Sequence, residues 1–216
     1  MGIIFDLDGT LINTLYDLGN SCNRTLKKYD YPVHTIEAYR YFVGNGMKTL
    51  LKRALPQDFE GDFDSILDDF LEDYSNNHSN DSRVYDDVIE TLQQLNKLQI
   101  PIAICTNKKQ DYTDSIVSHF LGDINFVSAL GDQFDGLHKP NPTHALQIAK
   151  MMNIPPQEIY FVGDSNVDML TARNANMIPI AVSWGFRPVE ELIEHGAYKV
   201  IDSMKEILVE VKSKKC

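Results

Sequence analysis

The chain opens on an apolar run, Gly2-Ile3-Ile4-Phe5, that drives straight into two carboxylates, Asp6 and Asp8, and then a Gly9-Thr10 turn. A run this short and this apolar reads as a buried strand. Side chains two apart on a strand point the same way, so Asp6 and Asp8 are expected side by side near its carboxyl end. That is where open α/β sheets bind ligands. Two like charges so close resist ionising together unless something positive joins them. A hard divalent cation with oxygen ligands meets the need, and Mg2+ with a phosphate is the commonest pairing.

Charge limits the partners. At 216 residues the chain has room for one good core, or a core with a modest insert, and it carries a net charge of -11. That balance argues against nucleic acid or an anionic membrane as the main partner, because both require basic footprints. An anionic substrate would need a local cluster of cations or a metal. Cys22, Cys105 and Cys216 are widely spaced and form no CxxC pair, which reads as reduced thiols in a cytoplasmic protein. The histidines show no metal-ligand spacing. No apolar run approaches the length of a membrane span, and Asp6 falls where a signal peptide would need its apolar region.

After the opening strand, helical spacing is expected over 15–29, with Asn13 or Thr14 as N-cap, then over 35–42 and 47–55. Residues 58–73 are dense in acids, yet Phe63, Ile66, Leu67, Phe70, Leu71 and Tyr74 form one apolar face. The acids therefore read as the wet side of an amphipathic helix. The polar stretch 75–82 reads as a hinge. Beyond it strands are expected at 100–105, 126–130, 159–162, 178–182 and 200–201. Helices are expected at 86–98, 111–120, 142–152, 167–174, 189–195 and 204–211. Strand and helix in alternation mark a parallel sheet. Asn176 sits where a helix must turn back, a place for the left-handed conformation. The expected plan is an α/β core, 1–14 and 82–216, interrupted by a helical domain, 15–81. The tail Lys214-Lys215-Cys216 reads as disordered.

Four places in this plan carry unusual chemistry: Asp6 and Asp8; Thr106-Asn107-Lys108 after a buried strand; Lys139 before Pro140; and Gly163-Asp164-Ser165-Asn166-Val167-Asp168 after another strand. Taken singly, a Thr-Asn pair is an everyday turn and a loop lysine is solvated surface. Their order and types together resemble the haloacid dehalogenase superfamily, whose motifs are DxDGT, a Ser/Thr at a strand end, a Lys before Pro, and GDxxxD. The resemblance implies a Rossmann-like core with a parallel sheet, and a helical C1-type cap inserted after the first strand.

It also implies roles. Asp6 would be the nucleophile that forms an aspartyl-phosphate, and Asp8 the general acid and then the base. Mg2+ would be held by Asp6, the Asp8 main-chain carbonyl and Asp164. Asp168 would orient Lys139 or a water on the metal. Thr106 and Asn107 would bond phosphoryl oxygens while Lys139 neutralises the transferring group. The second aspartate favours a phosphatase or phosphomutase over a dehalogenase, since a departing halide needs no proton. Asn13 departs from the Asp common at that position, which carries none of these roles.

Two further stretches resemble phosphoglycolate phosphatases: Val43-Gly44-Asn45-Gly46, and Ser183-Trp184-Gly185-Phe186-Arg187 followed by Glu190-Glu191-Leu192. Gly44, Asn45 and Gly46 would let backbone amides approach a small anion, with Arg24, Lys48, Lys52 and Arg53 as candidate partners for a carboxylate. The expected partner is thus a small phosphorylated metabolite such as 2-phosphoglycolate. A nucleotidase, a pyrophosphatase and a β-phosphoglucomutase-like mutase are the alternatives within the enzyme class. Outside it stands a silent phospho-ligand sensor or protein-binding domain, against which the complete set Asp6, Asp8, Thr106, Lys139 and Asp164 speaks. Trp184 fits either core or rim.

Overall fold

The computed structural model describes residues 1–133 and 136–213; the expectation for 214–216 lies outside them. The first strand, β1 (Gly2–Phe5), is fully buried. Ile3 and Phe5 face one apolar layer with Leu92, Ile104 and Val162, while Ile4 faces another with Ala103, Ile148 and Phe161. Burial on both faces is why the run shows no polar alternation.

The chain then leaves through a tight turn. Gly9 has φ +87° and its N–H donates to the Ile12 carbonyl at 2.8 Å. A Cβ at Gly9 would stand 2.3 Å from Asp164 Oδ2, so both the backbone conformation and the space demand glycine. The short β2 (Ile12–Asn13) pairs antiparallel with β3 (Arg83–Val84), and the regular elements between them are helices. Sequence patterning gives no sign of this ribbon, because two-residue strands leave no periodicity to read.

Between the two ribbon strands come α1 (Leu15–Lys28), α2 (Tyr39–Phe42), α3 (Met47–Ala54) and α4 (Phe63–Asn77). They bury Leu18, Cys22, Leu26, Tyr39, Leu51 and Phe70 in a cluster of their own. On α4, Ile66, Phe70 and Tyr74 of the expected face are buried. Its acidic side is not simply solvated: Asp69 and Asp73 pair with Lys28 and Arg24 of α1.

The stretch expected as a hinge is anchored. Helix α4 extends to Asn77, and fully buried Ser82 is held by Asp17 of α1. The Asp17 carboxylate accepts from Asp81 N at 2.9 Å, Ser82 N at 2.8 Å and Ser82 Oγ at 2.6 Å. Polar residues that serve one buried carboxylate look, in sequence, like a flexible linker. Asp17→Ala strands those donors and is expected to cost about 2–3 kcal/mol, read as a lower urea midpoint.

The rest alternates: α5 (Val88–Lys97), β4 (Ile102–Lys109), α6 (Gln110–Leu121), β5 (Ala129–Asp132), α7 (Thr143–Met152), β6 (Ile159–Gly163), α8 (Asn166–Asn174), β7 (Ile178–Val182), α9 (Val189–Glu194), β8 (Lys199–Ile201) and α10 (Glu206–Ser213). Strand β5 begins later than the sequence suggests, although Val127 N already bonds the Ile102 carbonyl at 2.8 Å. Asn176 has φ +58° and closes α8. The strands form one six-stranded sheet, order β5-β4-β1-β6-β7-β8, with every pairing parallel. The expected α/β, Rossmann-like arrangement is the observed one. From β1 the chain proceeds to β4 and β5 on one side, and from β6 to β7 and β8 on the other. The β1/β6 boundary is therefore a topological switch point, the crevice where such sheets bind ligands. Among the described residues no helix is long and apolar enough to cross a membrane.

Candidate active site

Asp6 follows β1 and Asp164 follows β6, so the switch point brings them together, with Asp168 on the first turn of α8. All three are buried, and one carboxylate oxygen of each lies within 4.8 Å of the others. Lys139 reaches the same spot: its Nζ is 2.8 Å from Asp6 Oδ1 and 2.5 Å from Asp168 Oδ1. Asp168 is also fixed from behind, its Oδ2 accepting from Ser165 N and Ser165 Oγ in a capping box. Asp164 accepts from Phe186 N at 2.7 Å and from Thr10 Oγ1 at 3.3 Å. Beyond the Lys139 ammonium, Asp6 Oδ1 takes no hydrogen bond.

Three carboxylates facing one ammonium leave two negative charges uncompensated. Burial, and then the Asp168 carboxylate beside it, push Asp6 up to about 7. The same causes in the same order raise Asp164 well above the ordinary range. Hard oxygen donors, three buried carboxylates within 4.8 Å of one another and a deficit of two charges fit a divalent cation such as Mg2+. A carboxyl raised in the fold stabilises the folded chain at low pH. That contribution is complete below about 4 and is lost as pH rises through about 7. Metal-free protein should therefore melt at progressively lower temperature across this window. Added Mg2+ should restore the melting temperature at neutral pH, and a flat profile in EDTA would contradict the charge count.

Asp8 is placed differently. Its carboxylate turns away from the other three, taking Lys108 Nζ at 3.0 Å on each oxygen and Thr14 Oγ1 at 2.8 Å. Thr14 thus spends its hydroxyl on Asp8 rather than on capping α1, and Asn13 Oδ1 accepts from Leu15 N instead. Thr106 lies within β4, which runs on past the expected end to Lys109 with an irregular register. Asn107 donates its amide hydrogens to the Lys139 and Gly44 carbonyls, both at 3.0 Å, and accepts from Lys139 N at 2.7 Å. It clamps the lysine loop and docks the glycine loop.

One narrow cavity of about 40 Å³ joins these groups, lined by Asp6, Asp8, Thr106, Asn107, Lys139 and Asp164 together with Gly44 and Gly46. Asn45 is not on that wall; its Oδ1 accepts from Arg53 Nη2 at 2.9 Å. The four cations expected to meet a carboxylate do not line it either. Arg24 is tied to Asp73, Arg53 to the Phe42 carbonyl, and Lys48 and Lys52 border the neighbouring groove. Lys108, Arg40 and Arg187 line it instead, a role the sequence does not single out for any of the three. Arg40 donates to the Gly185 carbonyl at 2.6 Å, and Arg187 to the Val43 carbonyl at 3.2 Å, a reciprocal bridge between the helical insert and the loop after β7. For Arg187 the Ser183–Arg187 motif is the available signal. Trp184 is a half-buried strut, its Nε1 donating to the Thr10 carbonyl at 3.1 Å.

Comparisons with known proteins agree with this geometry. The model of the haloacid dehalogenase-like hydrolases matches residues 3–182. A phosphoglycolate phosphatase from Colwellia psychrerythraea is 30% identical over 217 residues, covering 97% of this chain and 96% of its own. One from Vibrio parahaemolyticus is 30% identical over 213 residues, covering 95% and 93%. A crystal structure described as a predicted phosphoglycolate phosphatase from Haemophilus somnus superposes with a TM-score of 0.88 at 29% identity, over 97% of each chain. With the paired aspartates, the lysine and the second acidic strand end gathered in one crevice, the chain belongs to the haloacid dehalogenase-like hydrolase family and is a phosphatase within it.

Proposed function

We propose that the protein is a Mg2+-dependent phosphatase of small phosphomonoesters, 2-phosphoglycolate first among them, working through an aspartyl-phosphate on Asp6. The observation that carries the reading is the buried cluster of Asp6, Asp164 and Asp168 around one ammonium, with Asp6, Asp164 and Thr106 lining one cavity. Asp6 and Asp164, with the Asp8 main-chain carbonyl, would hold Mg2+, which when bound supplies charge neutralisation and polarises the phosphoryl group.

An Asp6 oxygen attacks phosphorus as the ester P–O bond breaks. The leaving oxygen takes the proton of the Asp8 carboxyl, and Asp8 then accepts a proton from the water that hydrolyses the intermediate. Lys139 balances charge on the transferring group and is itself aimed by Asp168 and by the Asn107 clamp on its backbone. Thr106 supplies a hydroxyl to the phosphoryl oxygens.

The helical insert, 15–81, acts as a cap over the core, 1–14 and 82–216, and shuts water away from the phosphorylated aspartate. Arg40 and Arg187 line the cavity and are its cations for a substrate carboxylate. The names of the relatives point to the same substrate. The reading places the enzyme in the cytoplasm, in keeping with the free buried thiols of Cys22 and Cys105.

The test is phosphate release from 2-phosphoglycolate, sugar phosphates, nucleotides and pyrophosphate, each with Mg2+ and with EDTA. The highest kcat/KM is expected for 2-phosphoglycolate, with no turnover in EDTA. Preference for another class replaces the substrate assignment, and undiminished rates in EDTA remove the metal. Turnover of p-nitrophenyl phosphate separates a hydrolase from a mutase.

A further inference from the structure

Lys108 plays no part in the mechanism above, yet it is the deepest cation beside Asp8. Its side chain is 1% exposed. Burying an ammonium costs several kcal/mol unless it is well paired, and an apolar residue would serve the fold at lower cost. The strand irregularity between Cys105 and Lys109 turns this stretch out of regular pairing, a device that re-aims side chains near sites. What Lys108 reaches is specific. Its Nζ meets both oxygens of Asp8 at 3.0 Å and lies 5.2 Å from the ring centroid of Tyr74, a fully buried residue of α4. Thr14 holds the same carboxylate from the other side at 2.8 Å. One ammonium thus touches the proton-handling acid of the core and an aromatic face of the insert.

We propose that Lys108 is a positioning residue for Asp8: seated against Tyr74, it fixes the Asp8 carboxyl where the leaving oxygen must collect its proton. The inference rests on the reading of Asp8 as general acid. In the first step the Asp6–phosphorus bond forms, the ester P–O bond breaks, and its electron pair goes to the leaving oxygen, which takes the Asp8 proton. A residue that only positions Asp8 therefore matters in proportion to the leaving group's need for that proton. A merely structural lysine would affect all esters alike.

The test compares kcat/KM, which reports transfer to Asp6 and not the later hydrolysis, for two monoesters. One is an alkyl phosphate that the wild type hydrolyses; the other is 2,4-dinitrophenyl phosphate, whose phenolate leaves without a proton. Lys108→Met is expected to lower the alkyl value by about 100-fold or more and the dinitrophenyl value by less than about fivefold. Asp8→Asn should show the same selectivity. Equal losses on the two esters, or no loss on the alkyl ester, overturn the role of Lys108. If Asp8→Asn is itself unselective, the reading of Asp8 fails and takes the inference with it. If only Lys108→Met is unselective, the inference alone falls. Should Lys108→Met not fold, judged by its melting curve, the neutral Lys108→Gln is measured on the same two esters: a selective loss supports the role of Lys108, and equal losses or none overturn it.

Discussion

Asp6→Asn is expected to lower Mg2+-dependent phosphate release by on the order of ten-thousand-fold or more, because the amide cannot form the acyl-phosphate on which both half-reactions depend. The same variant should be no less stable than the wild type in the absence of metal. Asp6 is a buried acid that crowds Asp168, and burial and that neighbour both disfavour its charge, so a neutral side chain of the same shape relieves the cluster while Asp168 still pairs Lys139. Loss of activity with an equal or higher melting temperature is the signature of a chemical role. Phosphate release at the wild-type rate would end the proposed mechanism. A matching loss of activity and stability would mean that Asp6 serves the fold instead.

Lys139→Met should do the opposite to stability. It withdraws the ammonium that faces Asp6 and Asp168 at hydrogen-bonding range and leaves buried carboxylates unpaired. Breaking a buried pair from one side costs about 3–5 kcal/mol. The deficit should be greatest in metal-free protein at neutral pH and smaller with Mg2+, since a divalent cation offsets part of the freed charge. Turnover should fall by about 100-fold to 1,000-fold through lost neutralisation of the transferring phosphoryl group. Urea unfolding with and without Mg2+ reads the first effect and steady-state kinetics the second. An unchanged unfolding midpoint in EDTA would show that the lysine is not the counter-ion the geometry makes it.

Much of the site was legible because its parts sit at strand ends, where short-range rules apply. Asp6 and Asp8 are two apart just past the end of one strand, and Asp164 and Asp168 are four apart across a strand-to-helix turn, so each pair is local. Alternation of strand and helix made the sheet parallel, and a parallel sheet puts every such end on one edge. The parts that sequence does not reveal are those whose meaning depends on a distant partner. Lys108 in Asn107-Lys108-Lys109 looks like a solvated pair of lysines until β4 is bent and α4 is laid across it. In sequence Arg24, Lys48, Lys52 and Arg53 look as eligible as Arg40. Periodicity says which side of a helix is apolar, not which polar side faces a neighbouring body. The supposed hinge at 75–82 is tied down by Asp17, more than sixty positions away.

The one-dimensional order of residues was enough for the α/β plan, the helical insert and the acid-rich strand ends. Strand pairing, amphipathic faces and turn chemistry are interactions of near neighbours, and near neighbours are visible in sequence. Tertiary structure alone decided that three carboxylates would share one lysine, that Asp8 would turn from them to Lys108, and which two arginines would line the cavity. Those outcomes follow from Coulomb forces and desolvation among groups up to about 160 residues apart, whose energies depend on distance and burial. Neither quantity exists until the sheet has closed the switch point around them.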